Sequence, residues 1–487
     1  MCRKHKIMYT VAAALIAFTV LKMFAIVGSQ PLIAYANNYD FIRVEGCLGL
    51  WQDYTDGTPQ ASGHINSPVN RLLLNRQYKI DLCLVSVDNI YPYLATRFRT
   101  IGSLIDFRII GGLKAAAVVM AMVIILWLSA DAWVVLIVSI IFSMLFGDFA
   151  YLIYFNTLYN EFSELFGLFI CIISLWLLWT GRTRSLIGVS ITMGIGILFL
   201  GLSKEQYIWF AVLLAVAAAT IYARKYYYRT ATLLVLIGIT CPLLFKGMNP
   251  SDYGVTQAIQ RANITDTVLG AVLPHATDPD AALHMLHLPA SCESAIGKNW
   301  YSKEFMEEHL CPEVFETSRA YLVPLFIQQP ATFFVPMSKA IHHARPIMDP
   351  VYGIFEDMQS ANRLRTRVTR ATSLTTVLMM LSDRVFYWLM IVAMCSGIVA
   401  MLMCGRVLWL RQRDTSGAGM LVAMGGIIII YALGSAVFGD GLADIPKHAA
   451  PWPFGLGLVF LGLCVFVMRF FIKIVSKKNI ISPSFQS

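Results

Sequence analysis

The chain has 487 residues, of which 57% are hydrophobic and only 14% charged, with a formal net charge of +9. A soluble domain carries about 25% charged residues, so this composition excludes an ordinary soluble enzyme and indicates a polytopic membrane protein. The basic balance concerns membrane sidedness before it concerns anionic partners, and no nucleic-acid partner is expected.

Taken in order, Arg3, Lys4 and Lys6 precede an apolar run over 8–27, about the 20 residues a helix needs to cross a bilayer. The run reads as a retained anchor. Ala34-Tyr35-Ala36 has the small-x-small form of a cleavage site, but the run exceeds the about 7–15 apolar residues of a cleaved signal. From 28 to 108 the chain is polar, with Gly57, Pro59, Gly63 and Pro68 marking turns, and it is too long for a tight connection. A folded outer segment is predicted. Within it Leu94, Phe98, Ile101 and Ile105 recur at helical spacing beside Arg97, Arg99 and Arg108, which predicts a helix lying in the membrane interface.

Further apolar runs follow near 109–128, 133–146, 165–179, 186–202, 207–222, 232–245, 386–403, 420–438 and 454–471. The expectation is an all-α protein of about ten transmembrane helices, with two long outer loops carrying interfacial helices. Its parts are an N-terminal transmembrane module over 1–246, an outer region over 247–384 and C-terminal transmembrane helices over 385–487. Arg182, Arg184, Arg224, Lys225, Arg229, Arg406, Arg411, Arg413, Arg469, Lys473, Lys477 and Lys478 fall on the side of the basic N-terminus. The positive-inside rule therefore puts both termini in the cytoplasm. Lys204 and Lys447 go against that rule, and Lys22 is read as the one charge within a span, snorkelling to its outer end. Cys47, Cys83, Cys292 and Cys311 all fall in segments assigned outside, which predicts Cys292–Cys311 and Cys47–Cys83 disulfides in an oxidising compartment.

Four connections assigned to the outer side hold polar residues that a hydrophilic loop does not require. They are Asn38, Asp40 and Arg43 after the first span; Asp148, Asn156, Tyr159 and Glu161 between the third and fourth; Ser203-Lys204-Glu205-Gln206; and Asp440, Asp444, Lys447 and His448 between the ninth and tenth. Charges this close to a membrane are costly and commonly functional. Carboxylates such as Asp40, Asp148 and Glu161 can take a proton from a hydroxyl or hold a divalent cation. Arg43, Lys204, Lys447 and His448 can bind a departing phosphate. A base and a phosphate clamp at a membrane face suit glycosyl transfer from a lipid phosphate.

The architecture resembles the GT-C integral-membrane glycosyltransferases: a cytoplasmic N-terminus, a long first outer loop with an early acidic residue, an interfacial helix and a second acidic loop. Asn-x-Asp-Phe-x-Arg-Val at 38–44, Tyr-Phe-Asn-x-x-Tyr-x-Glu at 154–161, Ser-Lys-x-Gln at 203–206 and Gly-Asp-Gly-x-x-Asp-x-x-Lys-His at 439–448 resemble a bacterial membrane hexose transferase family of cell-surface glycan assembly. The resemblance implies an inverting transfer of a hexose, glucose before other sugars, from a polyprenyl-phosphate carrier to a glycan such as O-antigen. It implies a multi-pass protein of the bacterial inner membrane with its active site on the outer face. Asp40 matches the base, Glu161 the second acidic motif, with Asp148 near it, and Lys447 and His448 the late basic pair. Around the glutamate the family often has glycine and proline, where this chain reads Asn160-Glu161-Phe162. The sequence specifies no cofactor; Asp40 and Glu161 would be the ligands if a divalent cation, Mg or Mn, takes part.

Each residue also has a plainer reading. Asp40 can pair with Arg43 in solvent, Glu161 can mark a span end, and Lys447 with His448 can anchor at headgroups. Arg363, Arg365, Arg367 and Arg370 form the densest basic run, read as a solvated or lipid-facing helix face, with lipid-phosphate binding as the alternative. His342-His343 lacks partners at metal-ligand spacing. A lipid-sugar flippase, or a glycan ligase or polymerase, is the alternative function.

Overall fold

The computed structural model describes residues 3–36, 39–52, 68, 70–75, 83–250, 254–303, 305, 310–345, 347, 374–410 and 417–480. The side chains of 39–43, the basic run at 363–370 and Asn38 lie outside the described residues. The protein is an all-α polytopic membrane protein. Among the described residues eight helices are long and apolar enough to cross a membrane, and Ala132–Phe146 and Leu186–Gly201 are shorter apolar helices. Each coincides with one of the apolar runs, because in hydrocarbon a helix alone satisfies its own backbone.

In chain order the helices used below are α1 (Arg3–Val27), α2 (Tyr39–Leu48), α3 (Ile90–Thr96), α4 (Phe107–Leu128), α5 (Ala132–Phe146), α6 (Phe149–Leu152), α7 (Glu161–Thr180), α8 (Leu186–Gly201), α9 (Ile208–Arg224), α10 (Tyr228–Met248), α11 (Gly254–Thr265), α12 (Pro279–Met285), α13 (Leu322–Gln328), α14 (Ala331–His343), α15 (Leu374–Met380), α16 (Asp383–Trp409), α17 (Ala418–Asp440), α18 (Ile445–His448) and α19 (Trp452–Ile480). Helix α7 is apolar on every side and almost wholly buried, so it is the central post of the bundle. It opens four residues earlier than its apolar run, taking Glu161 and Glu164 into its first turn.

Helices α16 and α17 cross so closely at Gly397 and Gly426 that a Cβ on either would stand 2.4 Å from the other's Cα. Only glycine permits that approach. On the other flank Thr19 of α1 and Ser143 of α5 share a hydrogen bond of 2.7 Å. At one end of α7, Lys225 Nζ donates to Leu178 O (2.8 Å) and Arg182 pairs with Asp131 (3.3 Å). The other end, about 30 Å away for a helix of this length, carries Glu161, Lys204 and Lys447.

The segment after α1 departs from the predicted interfacial helix over 94–105. Helix α3 ends at Thr96, and Ile105 lies in a strand. Strands β1 (Leu50–Gln52), β2 (Arg71–Leu74) and β3 (Leu104–Asp106) form an antiparallel sheet in the order β1-β2-β3. Leu72 pairs with Ile105 and both are buried, so Ile105 belongs to a packed sheet rather than to a lipid-facing stripe. Leu94, Phe98 and Ile101 remain exposed.

Both predicted disulfides are present, Cys47–Cys83 and Cys292–Cys311. The second lies in a separate apolar core drawn from 264–325, against which Phe438 of α17 packs. Lys22 is half-buried and extends to the bundle end where its Nζ donates to Gly147 O at 2.6 Å, satisfying a carbonyl just past the end of α5. It is not the one charge within a span, since Lys114 of α4 is fully buried.

Candidate functional site

The site is built at the N-terminus of α7. Glu161 is the first residue of that helix and is 2% exposed. A carboxylate there faces unpaired backbone N–H groups and the positive end of the helix dipole. Lys204 stands in extended conformation at the turn between α8 and α9, and its Nζ reaches Glu161 Oε1 at 3.1 Å. The same ammonium lies 2.8 Å from His448 Nδ1, and His448 Nε2 lies 2.7 Å from Asp440 Oδ2. The ring accepts from the ammonium through Nδ1 and donates to the carboxylate through Nε2–H, which fixes one tautomer. Three connections separated by up to 287 positions in the chain, 161 to 448, thus form one chain of contacts: Glu161, Lys204, His448, Asp440.

Lys447 joins it from the other side. It is 6% exposed, its Nζ lies 4.4 Å from the centroid of the Tyr159 ring, and it acts on the charge of Glu161. A buried cation over an aromatic face is no headgroup anchor. Tyr159 Oη donates to Ala36 O at 2.9 Å, and its ring packs edge-on against Tyr35. That bond brings the chain just before α2 to the site, and Asp40 lies in the first turn of α2.

The remaining candidates divide. Asp148 is fully buried away from the site; it caps α6 through Ala150 N–H and accepts from the backbone and hydroxyl of Thr375 at 3.0 and 2.6 Å. Asn156 donates to Val27 O and Ile33 O at 3.1 and 3.2 Å, which ties down the end of α1. Gln206 turns to α17, its side-chain amide N–H toward Ser435 O and its backbone carbonyl accepting from Tyr431 Oη. Asp444 acts through its backbone: in the left-handed region at φ 47°, its carbonyl accepts from the N–H groups of Lys447 and His448. Structure has thus taken Asp148 and Asn156 because each has more than one backbone or hydroxyl partner in reach, and a buried polar group left unpaired is costly.

Sequence reading missed several participants. Asn263 of α11, oriented to donate to both Ile259 O (3.0 Å) and Asp440 Oδ1 (2.6 Å), supports the far end of the contact chain. Arg319 donates to Phe438 O and Gly439 O at 3.2 and 2.9 Å. Asp266 stands beside Asp440, with Trp300 N–H on its carboxylate at 2.5 Å; burial pushes its pKa up to about 7, and the nearby Asp440 adds to the rise. Glu164 lies fully buried one turn along α7, near Lys204 and Tyr207. Asp88 and Lys114 form a wholly buried pair at 2.8 Å. Only Lys114, a lone charge in an apolar run, gave any signal.

The family model for the YfdI N-terminal transmembrane domain matches residues 3–480. The chain belongs to this family, which is associated with glycosyltransferase-like membrane proteins. Searches of the curated proteins and of the solved structures return no match.

Proposed function

We propose that this family member is an inverting hexosyltransferase, moving a hexose, glucose in our reading, from a polyprenyl-phosphate carrier to a cell-surface glycan such as O-antigen. The reaction takes place at the outer face of a bacterial inner membrane, among lipids that hold the donor. The observation that carries the reading is the meeting of Lys204, Lys447 and His448 around Glu161 at one end of α7, opposite the end where Arg182 and Lys225 lie.

The acceptor hydroxyl attacks the anomeric carbon and gives its proton to Asp40, while the bond from that carbon to the phosphate oxygen breaks. The leaving polyprenyl phosphate gains charge as it departs. Lys447 and Lys204 are the groups that neutralise it, with Arg43 and Asn38 contributing from the first loop. A preplaced cation at a developing charge is commonly the largest contribution to rate. Glu161 fixes the direction of the Lys204 ammonium, and the face of the Tyr159 ring holds that of Lys447. A divalent cation at Glu161 would meet the ring of His448 and the ammonium groups of Lys204 and Lys447, whose positive charges oppose a further cation there.

Asp40→Asn tests the reading directly. The variant is expected to insert normally and to lose transfer from a polyprenyl-phosphate hexose by about 10²–10⁴-fold; near-parental transfer removes Asp40 as the base. Mass spectrometry of the surface glycan separates the alternatives. A missing hexose supports transfer, accumulated lipid-linked precursor supports flipping, and shortened chains support polymerisation.

A further inference from the structure

The Lys114–Asp88 pair is buried at both ends, with side chains 0% and 2% exposed. Taking two charges out of water costs several kcal/mol per ion, and apolar replacements of such pairs are often as stable. Stability therefore does not explain the pair. Its hydrogen bonds do.

An ammonium has three N–H donors, and Lys114 has three oxygen acceptors within reach. They are Asp88 Oδ2 at 2.8 Å, Thr157 O at 2.9 Å and Tyr154 O at 3.4 Å. Phe162 lies beneath the same nitrogen, its ring centroid 4.9 Å away. On the other side Asp88 Oδ1 accepts from Ser163 Oγ at 2.6 Å, and Ser86 Oγ donates to Asn160 Oδ1 at 2.8 Å. The stretch from 154 to 163 is thus held at Tyr154, Thr157, Asn160 and Ser163, and the two residues that face the site, Tyr159 and Glu161, stand between these holds.

The strip 83–88 reaches the other site segments as well. Val87 N–H donates to Leu202 O at 2.9 Å, two residues before Lys204. Val85 exchanges two hydrogen bonds of 2.8 Å with the Asn249 side chain. Cys83 is bonded to Cys47 of α2, the helix whose first turn holds Asp40.

We propose that the buried Lys114–Asp88 pair, with Ser86 and Ser163, is a positioning clamp that sets Tyr159 and Glu161 against Lys204 and Lys447, and so sets the rate of the transfer proposed above. The proposal rests on that functional reading for its effect on rate. The clamp residues touch no substrate.

The experiment is the double variant Asp88→Asn/Lys114→Gln, which removes both charges and leaves an amide at each position, in the full-length protein in nanodiscs. Hydrogen–deuterium exchange of a peptide covering 154–163 is compared with one covering Leu186–Gly201. Transfer is measured in parallel with a polyprenyl-phosphate hexose. Exchange at 154–163 is expected to rise about tenfold or more with the reference peptide unchanged. Turnover is expected to fall about 10–100-fold, as for misplacement by around an ångström, with the donor KM within about twofold. Unchanged exchange, or faster exchange with parental turnover, overturns the proposal. Should the double variant fail to insert, Ser163→Ala carries the same test, with a several-fold loss of turnover expected and rescue by Ser163→Thr; no loss, or no rescue, overturns it. A parental chain inactive toward every lipid-linked hexose refutes the transferase reading alone, because exchange reads the clamp without turnover.

Discussion

The connection between α5 and α7 has an acidic residue at each end, and the two have opposite fates. Asp148 is enclosed, with three hydrogen bonds from Ala150 and Thr375. Glu161 is almost as buried, yet its neighbours are side chains from distant connections, Lys204, Lys447 and His448. A carboxylate satisfied by nearby backbone and hydroxyl groups has no further valence for chemistry. Side-chain cations held by a carboxylate can also be shared with a substrate's negative charge. The kind of donor, backbone and hydroxyl groups at Asp148 against side-chain cations at Glu161, rather than burial, separates the two roles.

The largest test of this contrast is Glu161→Gln, expected to lower transfer by about 10²-fold or more at unchanged membrane insertion, since it removes the anion that directs Lys204. Transfer within about threefold of the parental rate would erase the distinction. Asp148→Asn is expected to do the reverse. Its amide cannot accept from Thr375 on both oxygens, so thermal unfolding should show a loss of about 1–3 kcal/mol, with transfer per folded molecule nearly unchanged.

Asp266 gives the third and smallest case, a buried carboxylate with one strong donor, Trp300 N–H. Burial holds its folded pKa up at about 7. The folded state therefore keeps a proton that the unfolded chain releases near pH 4, so stability falls as pH rises from about 4 to about 7 and levels off above. Asp266→Asn should flatten that slope and raise stability at pH 8 by on the order of 1–2 kcal/mol, read as melting temperature against pH. An unchanged profile would set Asp266 with Asp148, as a group whose local partners suffice.

The apolar runs were legible because bilayer thickness sets a length that composition alone reveals. Helix starts were less so: the run at 165 hides the true start at Glu161, since charges in a first helical turn look like loop. The short strands β1 to β3 carry too few residues for a period of two to register. Motif order picked out Lys204, Lys447, His448 and Glu161, which the fold brings together. It did not separate them from Asp148 and Asn156, because the partners that occupy those two, Thr375, Val27 and Ile33, are far off in sequence. Asp88 and Lys114 stand 26 positions apart, 88 to 114, in unlike contexts, so nothing in either stretch announces the other.

The contact chain from Glu161 to Asp440 needs residues that the ribosome makes far apart in time. A chain grown only through α8 already displays Glu161, but Lys204, His448 and Lys447 have yet to be made. A half-translated chain in the membrane therefore cannot close these contacts, which form only once the helices on both sides of the bundle, α17 and α18 among them, have been laid down.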